Sequence, residues 1–230
     1  MAKRLIHTLC ICLLLSTYFG ICQADDEVFQ RGLSYYQNGE FHLAAATFEQ
    51  EKKLSPRESL VYFYLGNSYY QLNDLDNAIL NFTTGLNFTE KKGVFFYNLG
   101  NCYFLKDNYD FAAEMYAKAI QNDPNLFDAY LNAGNAFYKK GDIPQTIIHW
   151  ETYLRVYPET PQYVRIERAI AYLREGLSSA SASQKDKNEL DAALMDEVLG
   201  DLEELINRTE NVMETSEAPI DDLSQEEIER

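Results

Sequence analysis

Amide side chains recur along this chain at a fixed interval. Asn67, Asn101 and Asn135 are spaced by 34 residues, and Asn98 and Asn132 repeat that interval three positions earlier. An asparagine carries an acceptor and a two-proton donor on one group. A row of them suits the backbone of an extended peptide, which presents both. Rings keep the same interval: Phe63 with Tyr97, and Tyr70, Phe104 and Tyr138. Aromatic side chains add contact area at small entropic cost. The alternative reading is that these asparagines tie neighbouring segments together in the interior.

Other kinds of chemistry find no residues to carry them. His7, His42 and His149 stand far apart, with no spacing suited to a metal. No serine, histidine and carboxylate group together, and no glycine-rich phosphate loop is present. No catalytic residue, metal or cofactor is therefore expected, and the chain does not read as an enzyme. Cys102 shares its register with Ser34, Ser68 and Ala136, so it reads as a small packing residue. Asn81-Phe82-Thr83, Asn87-Phe88-Thr89 and Asn207-Arg208-Thr209 match the glycosylation acceptor pattern, which short motifs meet by chance.

The elements that would position the amides follow from the same period. Gly32, Gly66, Gly100 and Gly134 lie 34 residues apart. With these at position 8, the units are 25–58, 59–92, 93–126 and 127–160. Position 11 holds Tyr35, Tyr69, Tyr103 and Phe137; position 20 holds Ala44, Ala78, Ala112 and Thr146; position 24 holds Phe48, Phe82, Tyr116 and Trp150. Asn38-Gly39, Asn73-Asp74, Asp107-Asn108 and Gly141-Asp142 break each unit in the middle. Pro56, Pro124 and Pro158 end three units, and the second unit lacks its proline. Small residues at positions 8 and 20 are expected to face each other where two helices cross. Thr146 in place of alanine is expected to open its crossing slightly.

This pattern resembles the tetratricopeptide repeat family, whose 34-residue units are helix–turn–helix pairs. The resemblance covers about two-thirds of the chain. It implies an all-α, right-handed superhelical solenoid of four helix pairs over 25–160, closed by a capping helix over 161–177. In that helix Tyr163, Ile166, Ile170, Leu173 and Leu177 step by three and four. The resemblance also implies a concave groove lined by first-helix positions 2, 5, 9 and 12, with position 6 at its border. Asn67, Asn101 and Asn135 fall at position 9, and Asn98 and Asn132 at position 6. Phe63 and Tyr97 fall at position 5, and Tyr70, Phe104 and Tyr138 at position 12. Relatives that hold a C-terminal carboxylate carry lysine or arginine at positions 2, 5 and 6. This chain has none there, so that activity is not implied.

Residues 1–24 read as an export signal. Lys3 and Arg4 precede the apolar run Leu9 to Leu15, and Cys22-Gln23-Ala24 offers a cleavage site. Lipidation of Cys22 and an uncleaved anchor are the alternatives. Only Cys102 clearly remains in the mature chain, which excludes an internal disulfide. At the other end, 178–230 reads as a flexible linker and a mostly disordered acidic tail. Within it an amphipathic helix is expected near 188–207, with Leu190, Leu194, Val198, Leu202, Leu205 and Ile206 on one face. The net charge of −16 argues against nucleic acid and against an anionic membrane surface.

The sequence therefore predicts an exported, periplasmic protein, membrane-bound only if Cys22 is lipidated. It would be a non-catalytic adaptor that binds a protein or peptide segment. Two other functions stay open: a component of an envelope transport system with an aromatic pocket for a small apolar molecule, and an accessory subunit of an envelope-assembly complex. Oligomeric state is not legible.

Overall fold

Position 15 of every repeat is a left-handed residue: Gly39, Asn73, Asp107 and Gly141 have φ of 75°, 57°, 55° and 76°. Glycine enters that region freely, and asparagine and aspartate tolerate it better than other residues. The next residue caps the following helix. Asp74, Asn108 and Asp142 accept from backbone N–H groups three residues on, at 3.3, 3.4 and 3.2 Å. Glu40, at the same position in the first repeat, makes no such bond. Each breaker thus ends one helix and starts the next within three residues.

The computed structural model describes residues 27–181 and, beyond them, Gly200. The expected export signal, and all but Gly200 of the tail after residue 181, lie outside the described residues. The described elements are α-helices throughout: α1 (27–37), α2 (Phe41–Leu54), α3 (Ser59–Gln71), α4 (Leu75–Gly85), α5 (Lys92–Leu105), α6 (Tyr109–Asn122), α7 (Phe127–Lys139), α8 (Ile143–Val156) and α9 (Tyr163–Ser181). No described helix is long and apolar enough to cross a membrane. The chain divides into two compact units, Met1–Thr89 and Glu90–Arg230.

The first unit holds α1 to α4 as two hairpins, with α2 packed on α3. Gly32 and Gly66 sit against rings: a Cβ built on them would come within 2.8 Å of Phe48 and 2.6 Å of Phe82. Helix α4 is 11 residues long where α2 is 14. Beyond it Phe88 stacks on Tyr62, with ring centroids 5.5 Å apart. Tyr62 also donates from its hydroxyl to the carbonyl of Pro56, the proline that ends the first repeat, at 2.8 Å.

The second unit repeats the hairpins as α5–α6 and α7–α8, with α6 against α7 and α9 against α8. Gly100 and Gly134 admit the rings of Tyr116 and Trp150, a built Cβ falling 2.5 and 2.3 Å away. In all four repeats the glycine's nearest neighbour is the ring at position 24, rather than the small residue expected at position 20. Thr146 is fully buried and keeps its hydroxyl satisfied by donating to the Asp142 carbonyl at 2.9 Å. A Cβ built on Gly134 would come within 2.3 Å of the indole, the shortest such approach of the four repeats.

Two expectations for the last helix are corrected. Helix α9 runs on to Ser181, so 178–181 belong to it and the linker begins later than Ser178. Serine costs an existing helix only a few tenths of a kcal/mol, less than the gain from continued propagation. Its buried face is Ile166, Ala169, Ile170 and Leu173, packed with Trp150, Tyr153 and Leu154. Tyr163 and Leu177 are exposed at its two ends.

Candidate functional site

The first helix of each repeat in the second unit carries the amides, and the second helix carries the ring that reaches them. On α5, Asn98 and Asn101 are one turn apart; on α7, Asn132 and Asn135 repeat that spacing. Gly100 and Gly134 bring Tyr116 and Trp150 close enough to bond them. The Tyr116 hydroxyl donates to Asn101 Oδ1 at 2.8 Å, and Trp150 Nε1 donates to Asn135 Oδ1 at 2.9 Å. Both rings are fully buried, and a buried O–H or N–H without an acceptor would cost about 1–3 kcal/mol. Asparagine at position 9 supplies that acceptor.

A second layer of bonds joins the two hairpins of this unit. Asn132 Nδ2 donates both to Asn101 Oδ1 and to the Tyr97 hydroxyl, each at 3.3 Å. The rings of Tyr97 and Tyr116 lie 6.0 Å apart. Asn101 Oδ1 therefore accepts two hydrogen bonds. Asn101 Nδ2 is buried, with no partner among the described residues, on a side chain only 1% exposed. A buried donor of this kind is stabilised by any acceptor brought to it.

The sequence-predicted residues divide between the units. Phe63, Asn67 and Tyr70 lie on α3 in the first unit and are buried. There the position-24 ring is Phe82, which has no polar hydrogen to offer Asn67. Tyr97, Asn98, Asn101 and Phe104 on α5, and Asn132 and Asn135 on α7, are buried in the second unit, while Tyr138 is half-buried. One expectation needs correction: the row does not offer both halves of every amide. The oxygens of Asn101 and Asn135 are engaged within their own unit, as the packing alternative required. The physical reason is that tyrosine and tryptophan replace phenylalanine at position 24 in the last two repeats.

Two residues escaped the sequence reading. Lys106 follows the last residue of α5 and Lys139 ends α7; both are exposed and lie just beyond Phe104 and Tyr138. They stand at positions 14 and 13, outside the positions 2, 5 and 6 that were searched for cations. Cys102 is fully buried, and burial pushes its thiol far above the usual range, as expected of an inert packing residue. Asn81 is buried and donates to the Asn77 carbonyl at 2.8 Å, so its amide is not presented to solvent. Among the described residues no three histidine, cysteine or carboxylate side chains group to hold a metal.

Family comparison agrees with this geometry. Models described as tetratricopeptide repeat match residues 29–82, 94–126 and 128–160. The chain belongs to the tetratricopeptide repeat family. Among solved structures it is similar to that of MamA protein, at 18% identity over 85% of this chain and 97% of that one, with a TM-score of 0.61. It is also similar to YrrB, described as a TPR protein with an unusual peptide-binding site, at 14% identity over 83% of this chain and 97% of that one, with a TM-score of 0.57. At these identities the likeness is one of fold. No curated protein sequence matches the chain.

Proposed function

We propose that this tetratricopeptide repeat protein is a non-catalytic adaptor that holds a segment of another protein against the amide-bearing helices α5 and α7. The single observation that carries the reading is Asn101. Its oxygen is doubly occupied by Tyr116 and Asn132, while its buried Nδ2 has no acceptor. A bound segment would supply that acceptor through a carbonyl or carboxylate oxygen. Asn132 links the Tyr97 hydroxyl to Asn101. Phe104 and Tyr138 frame the segment, and Asn98, Asn132 and Asn135 line its path. Phe63, Asn67 and Tyr70 form the corresponding stripe of α3.

The location belongs to the same proposal. The charged start, apolar run and small-residue site of residues 1–24 support export into a cell envelope, as a free periplasmic protein or one lipidated at Cys22.

The test is photo-crosslinking in the native cell. A photoreactive phenylalanine at Tyr138 should yield a discrete protein adduct, and Asn101→Ala should reduce its yield at least fivefold. An adduct unchanged by Asn101→Ala would refute the site. Mass spectrometry of the purified N-terminus should show a start at Asp25 or a lipid on Cys22; an intact Met1 would refute export.

A further inference from the structure

The charge of this chain is concentrated where its binding face is not. Between 184 and 230 stand sixteen acidic and four basic residues, so this stretch carries three-quarters of the net charge of −16. The described part of the same unit is nearly neutral. Its exposed Lys106 and Lys139 lie at the C-terminal ends of α5 and α7, the helices that carry the stripe of Tyr97, Asn101, Phe104 and Tyr138. That stripe therefore has rings along its length and a buried hydrogen-bond donor at its centre, on helices whose C-terminal ends carry lysines. Each feature selects the same ligand. Carboxylates are acceptor-only groups, so they answer both the Asn101 Nδ2 hydrogens and the lysines. Apolar side chains between them would meet the rings.

We propose that the chain's own segment 190–206 is such a ligand, held on α5 and α7 so that a partner must displace it. By their spacing Leu190, Leu194, Val198, Leu202, Leu205 and Ile206 would share one face of a helix, with Asp191, Asp196, Glu197, Asp201, Glu203 and Glu204 around it. Reach is not an obstacle. Eight residues separate the end of α9 at Ser181 from Leu190, and they span about 28 Å when extended. Packed helices lie only about 8–10 Å apart. The short connection holds the segment at an effective concentration on the order of millimolar, so a weak contact suffices to keep it seated. The inference rests on the reading of this face as peptide-binding. It adds that the preferred partner is itself an acidic amphipathic segment.

The experiment uses the mature chain, 25–230, and the same chain with Leu194→Glu and Leu202→Glu. Amide hydrogen exchange should be at least tenfold slower over 190–206 in the unsubstituted chain than in the variant. A labelled synthetic peptide of residues 188–207, followed by anisotropy, should bind the variant at least tenfold more tightly than the unsubstituted chain. Adding Lys106→Glu and Lys139→Glu to the variant should weaken that binding. Free-chain exchange rates in the unsubstituted protein, or equal peptide affinity for both chains, would overturn the occlusion while leaving a binding face. A variant that binds no peptide, or binds it equally well after Asn101→Ala, would overturn the binding face and the occlusion together.

Discussion

Tyr116 and Trp150 each carry one polar hydrogen into the interior, and an asparagine 15 residues earlier accepts it. In the first repeat the equivalent pair is Leu33 and Phe48, with no polar atoms to match. This exchange of one pair for another gives a direct test. Trp150→Phe should destabilise the protein by roughly 1–3 kcal/mol, through the lost bond and the smaller ring. Adding Asn135→Leu, which copies the first repeat, should recover part of that loss in urea denaturation followed by circular dichroism. His149 offers a second test. Its ring stacks on Phe137 with centroids 5.0 Å apart, and burial lowers its pKa below the usual 6.5. The folded state therefore binds the proton less readily than the unfolded state. The contribution of His149 to stability is full above about pH 6.5 and is lost as pH falls through the lowered value. The denaturation midpoint should drop more between pH 7.5 and pH 5 in the unsubstituted chain than in His149→Gln. Equal drops would show that other groups dominate.

Helices in this protein owe their spacing to glycines that differ in role despite their shared identity. Gly134 lies inside α7 with Trp150 against it, so Gly134→Ala forces the indole to move and should cost about 1–3 kcal/mol. Gly176 lies inside α9 with nothing within 4 Å of a built Cβ. Gly176→Ala should instead stabilise by up to about 1 kcal/mol, from helix propensity alone. Thermal unfolding of the two variants should shift in opposite directions, and shifts of the same sign would refute this account of Gly134. The helices themselves were legible because apolar residues, breakers and prolines all kept one period. The left-handed residue at position 15 was foreshadowed by Gly39, Asn73, Asp107 and Gly141. The contact partner of each glycine was not foreshadowed, because periodicity gives the face of a helix and not which neighbour meets it. The extension of α9 was also hidden, since serine composition suggests a linker while helix propagation is decided by the turn before it.

At the scale of the molecule, the all-helical repeat architecture followed from the 34-residue interval. The site followed only in part. Asparagine at position 9 was visible as a repeating amide, yet sequence alone could not apportion its two ends. That depended on whether the facing ring carried a polar hydrogen, which is a contact between two helices rather than a property of either. Lys106 and Lys139 were visible in the sequence but lay outside the positions considered. The division at Thr89 and Glu90 falls in the segment where the second repeat lacks its proline, a departure that the sequence did show. One consequence follows from the composition of these two units. The chain has a single indole, Trp150, and it sits in α8 against Asn135. Its emission reports the polarity around one hairpin of the second unit and is blind to melting elsewhere. If the first unit loosens earlier, optical and ellipticity traces will separate, and the gap between them will measure how independently the two halves come apart.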